Sequence, residues 1–278
     1  TYSLPDPAGW LPSDGIAVDG RSEANTVRIR IGGTGEGEGN LISCYNGDGS
    51  DIDDDTAQIT IQGNVIGLTA SGDAALPNRG AGIEIEADDS LIGGPEPAAR
   101  NIVGANYDEG IYLEGRSSDP VERVIVQNNY VGVGADGVTP FGNGFDPDQP
   151  EFPRDGVELE VTVDALVTGN VIAANARHGV FVSKQVRDGV AVNNVISNNV
   201  IGTDASGTLD LGNGGSGVRT RSGGSLSVRE NVIAFNGSAG VSVVRTLSTP
   251  SFDVQGQEVR RNAIYANRGL GIDLVPES

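Results

Sequence analysis

A short motif, asparagine followed two residues later by isoleucine or valine, recurs through most of this 278-residue chain. Successive copies are 24 to 41 residues apart. Self-similarity at such a period is the signature of a solenoid, in which each repeat packs only on its neighbours. The chain is therefore expected to form one elongated domain. The motif asparagines are Asn40, Asn64, Asn101, Asn129, Asn170, Asn199, Asn231 and Asn262.

The segments between the asparagines alternate like β-strands. Residues 82–86 read Gly-Ile-Glu-Ile-Glu, and residues 110–114 read Gly-Ile-Tyr-Leu-Glu. A period of two with β-branched residues indicates strands, and no segment keeps apolar residues at helical spacing for long enough to predict a helix. A repeat of about 30 residues with three short strands and three turns fits a parallel β-helix, whose rungs are stacked about 4.8 Å apart.

Two segments resemble a known repeat. The run from Asn199 to Val218 and the closing run from Asn262 are similar to repeats of large secreted bacterial right-handed parallel β-helix proteins of the pectin-lyase-like superfamily, as are the Ile-Gly-Gly runs at residues 31 and 92. The resemblance covers roughly residues 28–274. It implies an all-β, single-stranded, right-handed parallel β-helix, for which we expect about eight to ten rungs. The superfamily includes polysaccharide lyases, hydrolases, epimerases and adhesins, so the fold alone does not define the function.

The chain divides into two regions. Residues 1–20 break the repeat and are predicted to be an N-terminal cap or docking segment, whereas residues 21–278 are predicted to form the β-helix. Three of the repeats are longer than the others. Their inserts, near residues 67–81, 132–155 and 202–216, are expected to protrude from one side of the solenoid.

The repeated asparagines are interpreted as structural. An asparagine at a turn tolerates the left-handed backbone conformation, and its amide can bond to the same asparagine one rung away. The motif asparagines are thus predicted to form a hydrogen-bonded ladder. A second asparagine follows five residues later in the short repeats, at Asn106, Asn175, Asn236 and Asn267. Three further asparagines, Asn78, Asn143 and Asn213, belong to the pattern of the inserts.

Charge and cysteine content exclude several classes of protein. The formal net charge is −20, and most of the 38 acidic residues precede residue 165. This acidity argues against nucleic-acid binding, which needs a basic surface. The single cysteine, Cys44, cannot form an internal disulfide. Because Cys44 aligns with Ala105, Ala174 and Phe235 in the repeat, we expect a buried thiol in the core.

The sequence also predicts a location. No apolar stretch reaches the eighteen residues that predict a membrane span, and no signal peptide is recognisable. Because the chain begins at Thr1 and has no methionine, we interpret it as a processed mature chain or a fragment. The proteins that it resembles are exported, so an extracellular or cell-surface location is expected.

The favoured functional hypothesis is structural. No C-terminal cap is recognisable, and uncovered strand edges favour stacking on another chain. We expect head-to-tail self-association into a fibre or surface assembly, in which the acidic end meets the arginine-rich end. Truncation of a longer protein is the alternative. The predicted contacts are Tyr2, Leu4, Trp10, Leu11, Arg260, Arg261, Arg268 and Leu274.

The competing hypothesis is a carbohydrate-active enzyme or a glycan-binding module. Carboxylates on adjacent rungs would be about 5 Å apart, and those two rungs apart about 10 Å, close to the separations in glycosidases. The candidates surround the longest interruption of the repeat: Asp146, Asp148, Asp155, Glu158 and Glu160. Resemblance to polysaccharide lyases implies a basic proton acceptor, for which Arg177, His178 and Lys184 are candidates. Aromatic residues are only 5% of the chain, which favours the structural role.

One segment offers metal ligands. Residues 46–55 concentrate oxygen donors on a turn, the donor set that Ca²⁺ prefers. The predicted ligands are Asp48, Asp51, Asp53 and Asp55. The segment differs from an EF-hand loop because Ala57 occupies the position of the closing glutamate. Apart from this Ca²⁺ hypothesis, the sequence predicts no cofactor.

Overall fold

The computed structural model describes residues 13–19, 28–53, 56, 58–184, 193–221, 224–245 and 256–276. Four residues of the predicted assembly interface, Tyr2, Leu4, Trp10 and Leu11, lie outside this part of the chain, as does the predicted calcium ligand Asp55. The described residues contain 27 strands, numbered in chain order, and one short 3₁₀ helix at Pro97–Ala99.

The strands form three long parallel sheets. Sheet A contains β1 (Ile16–Val18), β4 (Ser50–Ile52), β7 (Ile83–Ile85), β10 (Ile111–Glu114), β14 (Val157–Glu160), β18 (Val180–Lys184), β21 (Val218–Thr220), β24 (Val241–Arg245) and β27 (Ile272–Pro276). Sheet B contains β2 (Arg30–Gly32), β5 (Thr60–Gln62), β8 (Leu91–Gly93), β12 (Ile125–Gln127), β16 (Leu166–Thr168), β19 (Asn194–Ser197), β22 (Leu226–Arg229) and β25 (Gln257–Arg260).

Sheet C contains β3 (Leu41–Ile42), β6 (Val65–Ile66), β9 (Ile102–Val103), β13 (Tyr130–Val131), β17 (Val171–Ile172), β20 (Val200–Ile201), β23 (Val232–Ala234) and β26 (Ala263–Tyr265). A two-stranded sheet, β11 (Val121–Glu122) with β15 (Thr162–Val163), lies between sheets A and B. The chain visits A, B and C in turn, so one circuit is one rung. The predicted all-β, right-handed parallel β-helix is confirmed.

Aliphatic side chains of equivalent strands are stacked in the core. In sheet B, Ile61 is in register with Ile92, and Ile92 with Val126. All three are completely buried. Burying a side chain of this size contributes about 1.5–3 kcal/mol relative to leaving it exposed. The continuous stack explains why strands of only two to five residues form a stable sheet.

The motif asparagines form a ladder at the corner between sheets B and C. Each side-chain amide donates to the Oδ1 atom of the next asparagine over 2.9–3.1 Å, from Asn40 through to Asn262. The same Oδ1 atom also accepts the backbone amide of the preceding asparagine. Since the inner members are almost fully buried, these bonds satisfy polar groups that would be costly to leave unpaired.

A second ladder runs along the corner between sheets C and A. It alternates asparagines of the inserts with those of the short repeats as far as Asn236 and ends on a second short repeat, at separations of 2.9–3.0 Å. The insert asparagines are therefore not a separate pattern, because each supplies the ladder position of its own rung. The series is Asn78, Asn106, Asn143, Asn175, Asn213, Asn236 and Asn267.

The inserts lie against the solenoid. Each folds into a hairpin with one antiparallel bridge, such as Val133 with Pro140, and returns over the neighbouring short repeat. The hairpins are also stacked on each other, since the Ala135 amide donates to Gly72 and the Ala205 amide to Gly137. Val133 belongs to a small buried cluster outside sheet C. Instead of protruding freely, the hairpins cover the outer face of that sheet.

Two features differ from the sequence-based expectations. Cys44 is exposed, because its φ of 69° places it at a left-handed corner where the side chain points away from the core. The strand β1 falls inside residues 1–20, so part of the predicted cap or docking segment already belongs to sheet A. In the described part of the chain, no helix is long and apolar enough to cross a membrane.

Candidate functional site: the outer face of sheet A

The outer face of sheet A carries a row of polar and aromatic side chains in strict register. We call this the outer row. Alternation along each strand points these residues away from the buried core. Since adjacent strands are about 4.8 Å apart, neighbouring members of the row can contact the same ligand. The outer row is Asp51, Glu84, Tyr112, Glu158, Phe181 and Arg219.

Glu158 occupies the centre of the outer row. Its register neighbours are Tyr112 on one side and Phe181 on the other. Although it points outwards, Glu158 is only 8% exposed. Burial raises the pKa of its carboxyl group, with the nearby Glu160 carboxylate as a further cause, while the charges of Arg177 and Arg154 act in the opposite direction. This enclosure distinguishes Glu158 from an ordinary solvated carboxylate on a sheet.

Tyr112 is fixed by a neighbouring strand. Its hydroxyl group donates to Glu160 Oε2 over 2.7 Å. Burial and this bond to a carboxylate raise the pKa of Tyr112, so the phenol stays protonated. The tyrosine ring therefore lies in a defined position beside Glu158.

Polar groups at the corner between sheets C and A bond along the solenoid axis. Asp14 Oδ1 accepts the Asp48 amide (2.9 Å), and Asp48 Oδ1 accepts the Ala81 amide (2.5 Å). Farther along, Asp155 Oδ1 accepts the His178 amide over 2.7 Å. These carboxylates satisfy backbone groups of the next rung, so their first role is structural.

His178 continues this pattern with an imidazole. Its Nδ1 atom accepts the Ser216 amide over 2.9 Å, so the ring hydrogen is on Nε2. Burial, together with the charges of Arg177 and Arg219, lowers the pKa of His178 to about 3. His178 is therefore a neutral imidazole whose one available lone pair, on Nδ1, already accepts a hydrogen bond. It cannot serve as the general base suggested by the sequence.

Asp155 is completely buried. Its Oδ2 atom forms an ion pair with Arg177 Nη1 over 3.2 Å. Burial raises the pKa of Asp155 to about 7, although the charge of Arg177 and the His178 amide both lower it. The sequence-predicted candidates Asp155 and Glu158 thus lie in one cluster, but only Glu158 belongs to the outer row.

The remaining catalytic candidates are dispersed. Asp146 accepts hydrogen bonds from the Asp148 amide and the Gln149 side chain, which stabilises its own loop. Asp148 forms an ion pair with Arg79 over 2.8 Å. The backbone of Lys184 pairs with Glu160 at a register shift in sheet A. The sequence could not separate these residues from Glu158, since all of them lie near the same interruption of the repeat.

The loop before β14 leads into the strand that carries Glu158, and it exposes two aromatic rings. Phe145 is 58% exposed and Phe152 is 59% exposed. Arg154, at the end of the loop, contacts Asp108 over 2.9 Å on the preceding rung. Both rings belong to the longest interruption of the repeat, which the sequence identified by its carboxylates and not by its aromatic residues.

The amino-terminal half of the face is strongly acidic. Carboxylate oxygens of Asp14, Asp48 and Asp51 lie within 4.8 Å of one another. Burial raises the pKa of Asp48 to about 6. Two of the four predicted calcium ligands, Asp48 and Asp51, are therefore adjacent. Asp14, which was not among the predicted ligands, lies beside them. Asp53 adds its charge beside Asp51. Calcium binding stays a prediction.

A second acidic group is on the adjoining strands, where the carboxylate oxygens of Glu84, Glu86 and Glu114 are also within 4.8 Å of one another. Burial raises the pKa of Glu84 to about 9, with the Glu114 carboxyl group as the next cause. Protonation of Glu84 relieves the repulsion between these carboxylates.

Two arginines of the predicted assembly interface form ion pairs within the chain, and the third is held there by its backbone. Arg260 forms an ion pair with Glu258 over 2.7 Å, and Arg261 forms one with Glu230 over 3.5 Å. The Arg268 amide bonds to Asn236. Leu274 is 73% exposed on the last described strand.

The fold and its outer face define a parallel β-helix protein with a polar and aromatic strip along one sheet. Residues 96–278, about two thirds of the chain, match the model of the family described as "Periplasmic copper-binding protein (NosD)", and the chain belongs to that family. The expected resemblance to bacterial β-helix proteins is thereby confirmed. No curated protein matches the chain significantly.

Solved structures of the periplasmic alginate epimerase AlgG are similar in fold. A point mutant of AlgG matches with 16% identity and a TM-score of 0.44, covering 86% of this chain and 51% of that chain. The unmutated enzyme matches with 15% identity and a TM-score of 0.35, covering 83% of this chain and 60% of that one. This chain therefore spans about half to three fifths of the length of those proteins. At these identities, the likeness concerns the fold alone.

Proposed function

We propose that this protein works outside the cytoplasm and binds a polysaccharide along the outer row of sheet A. The observation that carries the proposal is the position of Glu158, which is enclosed between Tyr112 and Phe181 on an outward-facing strand. The half-buried Tyr112 ring can pack against a sugar ring, and the neighbouring Glu158 carboxyl group can bond to a sugar hydroxyl group or to a glycosidic oxygen. The buried Phe181, whose ring is covered by Arg177, supports Glu158 from the other side. The periplasmic description of the family supports the location.

The charge of the face selects among polysaccharides. Three of the six members of the outer row, Asp51, Glu84 and Glu158, are acidic, and the register pair Glu114 and Glu160 lies two residues farther along β10 and β14. Like charges brought together at close range oppose binding. We therefore propose a neutral glycan, and not a polyuronate, as the ligand.

Two aromatic residues of the loop before β14 are proposed to extend the glycan-binding surface. The phenyl rings of Phe145 and Phe152 are exposed, although neither ring carries a polar atom that could hydrogen-bond to water. Exposed aromatic rings are typical of surfaces that bind a ligand or a partner. We propose that they offer stacking positions for further sugar units of the same glycan.

The raised pKa of Glu158 adds a chemical capacity. A carboxyl group that keeps its proton at higher pH can act as a general acid toward a leaving oxygen. Release of reducing ends from a bound glycan would identify the protein as a hydrolase, and binding without release would identify a glycan-binding module.

Affinity electrophoresis tests the proposal. The purified chain is run in gels that contain a neutral β-glucan, chitosan or polygalacturonate. We expect retardation by the neutral glucan, and loss of most of it in the Phe145→Ala/Phe152→Ala variant. Leu209→Ala is the matched control, because Leu209 is 49% exposed on a hairpin away from sheet A. If no neutral glycan of a broad panel retards the protein, the proposal fails.

A second candidate function, head-to-tail self-association, is supported by the last described strand. Ile272 is 46% exposed, whereas its register partner Val241 is completely buried. Leu270 and Leu274 are also exposed there. A further rung, from the same chain or from another copy, would cover this surface.

Sedimentation velocity at increasing protein concentration tests this candidate. Self-association is expected to give species that grow with concentration and that disappear in Ile272→Asp. Leu209→Asp introduces the same charge elsewhere and is expected to leave the distribution unchanged. A single monomeric species at all concentrations would exclude the fibre.

A further inference from the structure

We infer that these 278 residues contain no copper site, although the family is described as copper-binding. Copper in proteins is held by thiolate, thioether and imidazole ligands, usually several at once. The chain has one cysteine, one histidine and no methionine. Even if both available residues contributed, the donor set would be smaller than such a site requires.

The only imidazole is not available as a ligand. His178 is 6% exposed, and its Nδ1 lone pair accepts the Ser216 amide over 2.9 Å. The hydrogen is therefore on Nε2. Metal binding through Nε2 would move the hydrogen to Nδ1, where it would face the hydrogen of the Ser216 amide. The ring would have to give up a buried bond to become a ligand.

The only thiol is distant from that imidazole. Cys44 precedes β4, and His178 precedes β18, at the same corner of the solenoid. Four steps of sheet A separate these two strands. At about 4.8 Å a step, the two residues are roughly 19 Å apart along the axis. No single ion contacts both.

The carboxylates do not compensate for the missing ligands. The acidic groups around Asp48 and around Glu84 offer only oxygen atoms. Such donors suit hard cations and do not select copper over the more abundant ions outside the cell. The inference concerns this chain, and not the family as a whole.

Copper competition against a chromophoric chelator tests the inference. The purified chain is loaded with Cu(I) under anaerobic conditions, and in parallel with Cu(II) in air, and then exposed to excess bicinchoninate for Cu(I) or nitrilotriacetate for Cu(II). Metal content is measured after desalting. We expect far less than one copper ion per chain to be retained in either state.

Two variants control the experiment. Cys44→Ser removes the exposed thiol and is expected to retain the same low copper content as the unmodified chain. Asp51→His/Glu84→His/Tyr112→His places three imidazoles on consecutive strands, in register, and is expected to retain Cu(II), which shows that the assay detects a β-helix copper site. Retention of one copper ion per chain by the unmodified protein overturns the inference, whether or not Cys44→Ser abolishes it.

Discussion

The Ser216 amide donates its hydrogen to His178 Nδ1 over 2.9 Å, and this one bond fixes the tautomer and the charge of the only histidine in the chain. The imidazole occupies a position that Asp48 and Asp155 fill on other rungs, where a carboxylate accepts the amide of the next rung. His178 is therefore a structural member of the corner.

The single histidine makes this relationship directly measurable. Because the pKa of His178 is lowered to about 3, its NMR signal is expected to show no titration between pH 8 and pH 5. His178→Ala leaves the Ser216 amide unpaired and should lower the free energy of unfolding by about 1–3 kcal/mol. His178→Asn, which keeps an acceptor in nearly the same place, should recover much of the loss. A titration midpoint near pH 6.5 would contradict this account.

The asparagine ladder should be sensitive at its centre. Asn170 donates to Val126, Thr168 and Asn199, and its Oδ1 atom accepts two bonds from Asn129. Asn170→Ala leaves several buried groups without partners and is expected to lower the free energy of unfolding by about 3 kcal/mol or more. Urea unfolding followed by circular dichroism measures this value.

The matched control for the ladder is the half-buried Asn262 at its end. Asn262→Ala removes fewer buried bonds and should cost less than Asn170→Ala. Equal losses for the two variants would show that burial does not determine the contribution of the ladder.

The acidic face should make the protein more stable at pH 5 than at pH 8. The folded-state pKa of Asp155 is about 7, and that of Glu84 is about 9, both above their ordinary values. The stability that such groups contribute is fully present below their unfolded pKa values and is lost as the pH rises through the folded ones. His178 acts in the opposite sense below pH 6.5, but it is one group against several carboxyl groups.

Glu84→Gln tests the pH dependence, because it removes a charge that the folded state disfavours. We expect it to raise the urea midpoint at pH 8 and to reduce the difference between pH 8 and pH 5. Asp204→Asn is the contrasting variant. Burial alone would raise the pKa of Asp204, but hydrogen bonds from Leu209, Ser206 and Thr208 lower it to about 2. Because the folded state favours the charged carboxylate, its replacement by an amide should destabilise the protein at pH 8.

Two glycines in the same insert should respond differently to alanine. Both have left-handed backbone conformations, with φ of 88° at Gly202 and 77° at Gly207. A Cβ atom at Gly202 would lie 2.1 Å from the Ala234 oxygen, whereas nothing lies within 4 Å of one at Gly207. Gly207→Ala should cost only the conformational penalty of about 1–2 kcal/mol. Gly202→Ala should cost clearly more, as judged by the urea midpoint, and equal costs would refute the role of close packing.

Part of the fold follows from the local pattern. The spacing of the motif asparagines and the alternation in segments such as residues 82–86 predict strands, corners and a solenoid, because each rung repeats the same short-range chemistry. The pattern could not reveal that Asn78 and Asn143 belong to a ladder with Asn106, since inserts of different length separate them along the chain.

The candidate site was harder to predict from the sequence than the fold, because its residues are brought together by the register of the strands. The sequence identified Asp155, Glu158 and Glu160 as members of an interruption, but it also selected Asp146 and Asp148, which stabilise their own loop or pair with Arg79. Tyr112 and Phe181 were not recognised, because 46 and 23 residues separate them from Glu158 and only strand pairing brings them together.

The amino-acid sequence by itself determined the class of fold, the acidic character of the chain and the scarcity of copper ligands, because these depend on composition and on short-range periodicity. Only the tertiary structure decided which side chains share a face, which carboxyl groups are buried and which nitrogen of His178 carries the hydrogen. Those properties arise from the stacking of rungs, where residues far apart in the chain become neighbours at about 4.8 Å and change one another's exposure and charge.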